Sequence, residues 1–266
     1  MVDIDTLWDY SDPAGTETRF VALLAEIQTQ LARTHSLRKQ FEQAHELLDT
    51  VEEALSAGPS RTHLRLWLER GRTYRSAGEP QKALPFFLRA WDEGRELGED
   101  FLAIDAAHML GIVTQGDESV CWNEEAIAVA ARSTESKARR WLASLYNNLG
   151  WTYHDSEQYE KALEYFKKAL DARREQAQPK EERIALWCVG RCLRSMGRVK
   201  EALGIQRGLS GWDNDGYVVE ELGECLLALD QLEAARPYFA QAAKLLESDS
   251  SITAERLARL KELGQE

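Results

Sequence analysis

Between Ala162 and Leu170 the apolar residues Ala162, Leu163, Phe166, Ala169 and Leu170 are separated by one, three, three and one positions. That spacing places them on a single helical stripe. Stripes of this kind run through most of the chain, and alternating β-branched runs are nearly absent. Turn signals fall between the stripes, at Ser76-Ala77-Gly78-Glu79-Pro80, His154-Asp155-Ser156 and Ser195-Met196-Gly197. The pattern predicts an all-α chain built from helix–turn–helix units.

The units repeat a skeleton. Leu149-Gly150 is followed by Tyr153, Ala162, Phe166 and Ala169, and the same order returns as Trp67, Gly71, Tyr74, Ala83, Phe87 and Ala90. Weaker copies surround Gly111, Gly190 and Gly223. A glycine inside a helix costs about 1 kcal/mol relative to alanine, so its recurrence predicts close approach of the paired helix. Ala83, Ala162, Ala202 and Ala235 are the expected facing small residues, with Phe87, Phe166 and Phe239 filling the gap to the next unit. The unit at Gly190 has Gln206 in the aromatic position, and the unit at Gly111 has Asn123 in place of the second-helix alanine. A degenerate first unit carries Ala32, Phe41, Ala44 and Leu48. The markers Ala32, Gly71, Gly111, Gly150, Gly190 and Gly223 are 39, 40, 39, 40 and 33 residues apart. The short last step coincides with the Gly/Asp-rich stretch Gly208–Gly216, which predicts a truncated second helix in the fifth unit, by deletion rather than as a joint.

Asp12-Pro13 marks the start of the first helix. Ile252–Leu263 predicts an amphipathic terminal helix, so both ends read as caps. The expected organisation is one solenoid domain over residues 1–266, with a lead-in at 1–16, repeats at 17–248 and a capping helix at 249–266. Ile4, Leu7, Trp8 and Tyr10 in the lead-in suit packing on the first unit or on a partner's surface.

The skeleton W-x2-L-G-x2-Y…A-x3-F…A resembles the tetratricopeptide repeat, although Arg70 replaces the leucine of the unit at Gly71. The resemblance implies a right-handed α-solenoid superhelix of about six units plus a capping helix. The longer period resembles that of kinesin light chains, cell-polarity adaptors and bacterial peptide-sensing regulators, all of which bind peptides or proteins.

Charge and motifs narrow the function. A net charge of −12 disfavours general nucleic-acid binding. No run reaches the roughly 18 apolar residues of a membrane span. The amino-terminal stretch is acidic where a signal peptide is basic, so a cytoplasmic location is expected. Cys121, Cys188, Cys192 and Cys225 lack disulfide-framework or metal-ligand spacing and read as buried reduced thiols. No phosphate loop, His-Glu-x-x-His or nucleophile elbow occurs, and a constellation of His154, Asp155 and Cys188 reads as helix-end chemistry instead. The expectation is a non-catalytic chain without cofactor or metal, present as a monomer or weak homo-oligomer.

In the superhelix that the resemblance implies, first helices line the inner surface. There the positions around each glycine bring out Asn147, Asn148, Trp151 and His154, flanked by Arg72, Arg75, Trp187, Arg191 and Arg194. Asparagine offers a donor and an acceptor to a peptide backbone, arginine grips carboxylates, and tryptophan anchors interfaces. Together they predict a groove for a peptide or protein segment with acidic groups. Similarity to the carboxylate clamp of some tetratricopeptide domains is partial, because arginine stands where that clamp uses lysine. A structural reading remains beside this one: the arginines pair with Glu69, Glu220, Glu221 or Glu224, and Trp151 belongs to the core. Glu220, Glu221 and Glu224 on their own read as a solvated acidic face. Three classes follow: an adaptor, a sensor whose superhelix changes pitch on binding peptide, and a self-assembling scaffold, which the capped ends disfavour.

Overall fold

The first helix begins where Asp12-Pro13 predicts. Asp12 Oδ1 accepts the Gly15 N–H at 2.9 Å and Pro13 occupies the first turn, where its missing N–H leaves no bond unmade. The computed structural model describes residues 3–55, 58–209, 215–249 and 251–265, and these are helical apart from short connections. They form two compact units, residues 1–141 and 142–266.

In the first unit a 3-10 turn (Ile4–Leu7) precedes α1 (Pro13–Leu37), α2 (Phe41–Ala54), α3 (Arg61–Ser76), α4 (Pro80–Leu97), α5 (Asp100–Val113), α6 (Gly116–Arg132) and the short α7 (Ser136–Arg139). The second holds α8 (Trp141–Asp155), α9 (Tyr159–Glu175), α10 (Pro179–Ser195), α11 (Val199–Leu209), α12 (Gly216–Leu227), α13 (Leu232–Leu246) and α14 (Ala254–Leu263). Consecutive helices pair as hairpins. A recurrent bond closes them: the N–H groups of Gln40, Glu79, Gln158, Arg198 and Gln231 reach back to the carbonyls of His35, Tyr74, Tyr153, Leu193 and Leu226. This is the Schellman closure, which needs a left-handed residue just before that donor. Gly78 and Gly197 supply it without strain, whereas Lys39, Glu157 and Asp230 adopt it at φ near 60°.

The glycines do bring paired helices together, and the aromatics are the reason. A Cβ on Gly71 would lie 2.5 Å from the Phe87 ring, one on Gly150 2.5 Å from Phe166, and one on Gly223 2.9 Å from Phe239. Each phenylalanine is fully buried. They sit on the glycine of their own hairpin, and Phe239 also has the Arg259 guanidinium of α14 over its ring at 6.0 Å. In the other two hairpins a polar residue takes the same slot: Gln206 lies 2.6 Å from the position of a Gly190 Cβ, and Asn123 2.5 Å from that of Gly111. Asn123 is therefore the counterpart of the aromatic, not of the alanine. The alanine position, four residues earlier, is Ser119, whose hydroxyl donates to the Gly111 carbonyl at 2.6 Å. Asn123 Nδ2 donates to Ser119 O and Gln206 Nε2 to Trp187 O. Asn123 Oδ1 and Gln206 Oε1 are buried with no protein partner.

At the carboxyl end, Leu260 of α14 is fully buried, and Leu257 and Leu263 pack against the same core. At the amino end the lead-in packs on α1: Trp8 meets Phe20 edge-on at 5.4 Å, and Arg19 Nε donates to Leu7 O at 2.9 Å. The outer face of α1 is not that of a polar cap, because Val21, Leu24, Ile27 and Leu31 are between 42% and 56% exposed. α11 is described as far as Leu209, so the expectation of a truncated helix falls at the edge of the described residues. Residues 210–214 of the Gly208–Gly216 stretch lie outside the described residues, and Asp215 caps α12 through the Tyr217 N–H.

Candidate functional site

The nine residues singled out from the sequence fall in both units. Arg72 and Arg75 lie on α3 of the first. Arg72 donates to Glu69 Oε1 at 2.6 Å and to Asp105 Oδ1 on α5. Glu69 is itself buried and also receives Arg33. Burial by itself lowers the Arg72 pKa, but Asp105 and Glu69 outweigh it and hold the guanidinium above its usual value. Arg33 and Arg72 thus balance Glu69 and Asp105, and Arg72 is committed to the fold. Arg75, one turn on, is exposed.

The other seven lie in the second unit, on α8 and α10. Trp151 packs edge-on against the buried Phe166 at 5.1 Å and lies 6.0 Å from Trp187. The Arg191 guanidinium stands 5.7 Å from the Trp151 ring centre and 5.6 Å from that of Trp187, within cation–π range. His154 meets Trp151 edge-on, and its Nε2 shares a 2.9 Å hydrogen bond with Ser195 Oγ. Asn147 Oδ1 accepts from the Cys188 thiol at 3.5 Å. Asn148 is half-buried beside it. Arg194 grips Glu221 with two bonds, 2.8 and 2.9 Å, and Arg191 adds a third at 3.1 Å. Burial works against the Arg194 charge, and Glu221 more than compensates, raising the arginine pKa.

Glu220, Glu221 and Glu224 are not a solvated face. Glu220 and Glu221 are buried. Glu220 receives Arg256 Nε and Nη2 at 2.8 and 2.5 Å, and Glu224 pairs with Arg259. The basic segment that meets this acidic helix is the chain's own α14. Four arginines (Arg191, Arg194, Arg256 and Arg259) thus serve three carboxylates, leaving one positive charge in excess beside the two indoles.

Sequence reasoning missed a further ring of residues, one turn earlier on the first helices. Tyr217 accepts the Trp187 indole N–H through its carbonyl at 3.1 Å and meets that ring edge-on. Ile184, 59% exposed, joins Lys180, Arg183, Trp187 and Tyr217 around a cavity of about 530 Å³. Asp105, Ile184 and Tyr217 all precede their glycine by six positions, a register that would have found them together. Cys188 and Cys225 are pushed by burial up to about 12 and Cys192 to about 11, so they stay protonated and inert. Cys121 differs from the expectation for all four: it is exposed. No group of three or more potential metal-binding side chains occurs among the described residues, and no helix among them is long and apolar enough to cross a membrane.

The histidines make stability pH-dependent. Burial lowers the pKa of His45, His63, His108 and His154, with Arg191 adding to the effect at His154. Above about pH 6.5 each is neutral whether folded or unfolded. Below it the unfolded chain binds more protons, so stability falls as pH drops towards the folded values. Urea midpoints should therefore decrease between pH 7.5 and 5.5. His108→Asn should flatten that decrease, and an unchanged slope would rule out this origin.

A profile of the tetratricopeptide repeat matches residues 103–175. No curated protein sequence matches the chain. Among solved structures it is similar to the apo form of the quorum sensor NprR from B. thuringiensis, at 15% identity over 91% of this chain and 70% of that one, with a TM-score of 0.67. NprR in complex with its cognate peptide NprX aligns at 17% identity over 91% and 71% of the two chains, with a TM-score of 0.54. Pseudomonas aeruginosa pilF aligns at 15% identity over 90% and 97%, with a TM-score of 0.60. Identities this low speak for the fold alone. Residues 103–175 thus carry tetratricopeptide repeats, and the chain has an all-helical fold like that of tetratricopeptide solenoids.

Proposed function

We propose that the chain is a non-catalytic interaction module that holds an acidic peptide segment, anchored on the second unit by Trp151, Trp187 and Arg191. The observation that carries this reading is the charge excess: Arg191 shares Glu221 with a bidentate Arg194 and lies over two indoles. Arg191 is the better placed of the two to turn to a ligand carboxylate, because Arg194 alone already satisfies Glu221 with two bonds. The indoles supply apolar anchor area. Asn147, Asn148 and His154 border this surface as positions for backbone contacts. Arg72 is held within the fold of the first unit, where Arg75 is exposed.

Arg191→Gln keeps the Arg194–Glu221 pair and should leave the thermal transition nearly unchanged. Measured on an array of acidic, neutral and basic peptides, the wild-type chain should retain acidic sequences. Arg191→Gln should weaken them about tenfold, the scale of one lost charged contact. Equal retention of basic peptides, or unchanged affinity in the variant, would reject the assignment. Arg72→Ala is the wrong probe, because it strips the partner from buried Glu69.

A second reading, a peptide-sensing regulator, draws on the higher TM-score to the apo form of NprR than to its peptide complex. X-ray scattering separates the two, since a sensor compacts on binding an acidic peptide and an adaptor does not.

A further inference from the structure

Helix α1 carries two apolar stripes. One, with Ala25 and Ala32 and the small polar Thr29 and Ser36, is buried against its neighbours. The other, Phe20, Leu24, Ile27 and Leu31, repeats at intervals of four, three and four residues. Leu24, Ile27 and Leu31 on it are 56%, 49% and 48% exposed, and Val21 beside them 42%. Trp8, packed on Phe20, and Tyr10, stacked on Trp8 at 5.7 Å, extend the patch at its amino end, and Tyr10 is 87% exposed. A contiguous apolar patch of this kind marks an interaction site. Its spacing is that of a helix-pairing seam.

We infer that a second copy of this chain covers the stripe, with the two α1 helices antiparallel. The charges along the helix identify the occupant. Glu17 lies one turn before Phe20, and Arg38 follows the last turn. Both are exposed, and neither has an ion-pair partner among the described residues. A two-fold axis between Ile27 and Gln28 sets Leu24 against the partner's Leu31 and Phe20 against the partner's His35. The same axis sets Glu17 against the partner's Arg38, so one ion pair forms at each end. Trp8 and Tyr10 then lie at the end occupied by the partner's Arg38 and the partner's Lys39, where cation–π contacts are available. A parallel pair would instead put Glu17 on the partner's Glu17. The isologous arrangement closes on itself and stops at two copies. One helix pair falls at the low end of specific interfaces, below about 1,200 Å² in total, so micromolar association is expected.

Sedimentation velocity on the full chain tests this. Wild-type protein should shift from monomer to dimer between about 1 and 100 μM, and Leu24→Glu/Leu31→Glu should remain monomeric throughout with an unchanged circular dichroism spectrum. Glu17→Lys should weaken the dimer about fivefold or more, from the loss of two exposed ion pairs, and Glu17→Lys/Arg38→Glu should restore it. A wild-type chain that stays monomeric at 100 μM, a leucine variant that still dimerises, or a charge exchange without rescue would each overturn the proposal.

Discussion

Phe166→Ala should cost the second unit about 3–5 kcal/mol, the usual price of emptying a buried phenylalanine site. The ring is fully buried, fits over Gly150 and is the edge-on support of Trp151. The backbone of α8 cannot sink into the vacated space, because α8 is held in register by the hairpin closure from Gln158 to Tyr153. The loss should appear as a lowered urea midpoint of residues 142–266 by hydrogen exchange, with residues 3–141 little changed, since solenoid stability is mostly a nearest-neighbour quantity. Gly150→Ala makes the companion test. Helix propensity alone favours alanine by about 1 kcal/mol. The new methyl would lie 2.5 Å from the Phe166 ring, and overpacking of this kind costs about 1–3 kcal/mol. The sign should reverse in the Phe166→Ala background, where the methyl fills vacated space. An additive double mutant would mean that the glycine and the ring are not coupled.

Glu221→Gln should move stability and binding in opposite directions. Glu221 is 1% exposed and accepts three guanidinium N–H bonds from two arginines. Breaking a fully buried ion pair costs about 3–5 kcal/mol. Arg191 and Arg194 retain 29% and 21% side-chain exposure, so water compensates in part and about 2–3 kcal/mol is expected. The same change raises the positive excess beside Trp151 and Trp187 from one charge to two. An acidic peptide should then bind more tightly and with a steeper dependence on salt. Scanning calorimetry through the transition reads the first effect, and titration calorimetry on the folded variant below its melting range reads the second. A variant less stable but no better at binding acidic peptides would place the ligand elsewhere.

The hairpins, their turns and the glycine contacts were legible because each rests on a short-range period, and every copy of Gly/Tyr/Ala/Phe repeats the same local problem. Asn123 follows Gly111 by 12 residues, the spacing of Ala83 from Gly71, but α6 starts only five residues after its glycine where α4 starts nine after, so the register moves by four. Counting four positions back to Ser119 gives the register that the packing uses. The fate of Glu221 was only half legible. Its listing among the arginines' partners follows from its place on α12, but its burial depends on Arg191 and Arg194, 30 and 27 residues away, and on α14 packing across its neighbours Glu220 and Glu224. The outer stripe of α1 was written plainly as Phe20, Leu24, Ile27 and Leu31. One apolar stripe suffices to explain a helix, so the second raises no signal until the first is seen to be occupied by Ala25 and Ala32.

Asn123 and Gln206 have a mechanical consequence. A tetratricopeptide array pulled from its ends is a chain of joints in series, and it yields at the softest. Each of these two residues replaces a buried ring with an amide whose oxygen finds no protein partner, a deficit of about 1–3 kcal/mol each. They sit in α6 and α11, one in each unit. Under load the chain should therefore give way first at these two hairpins, while those seated on Phe87, Phe166 and Phe239 hold. Evolution or design could harden either joint with a single aromatic.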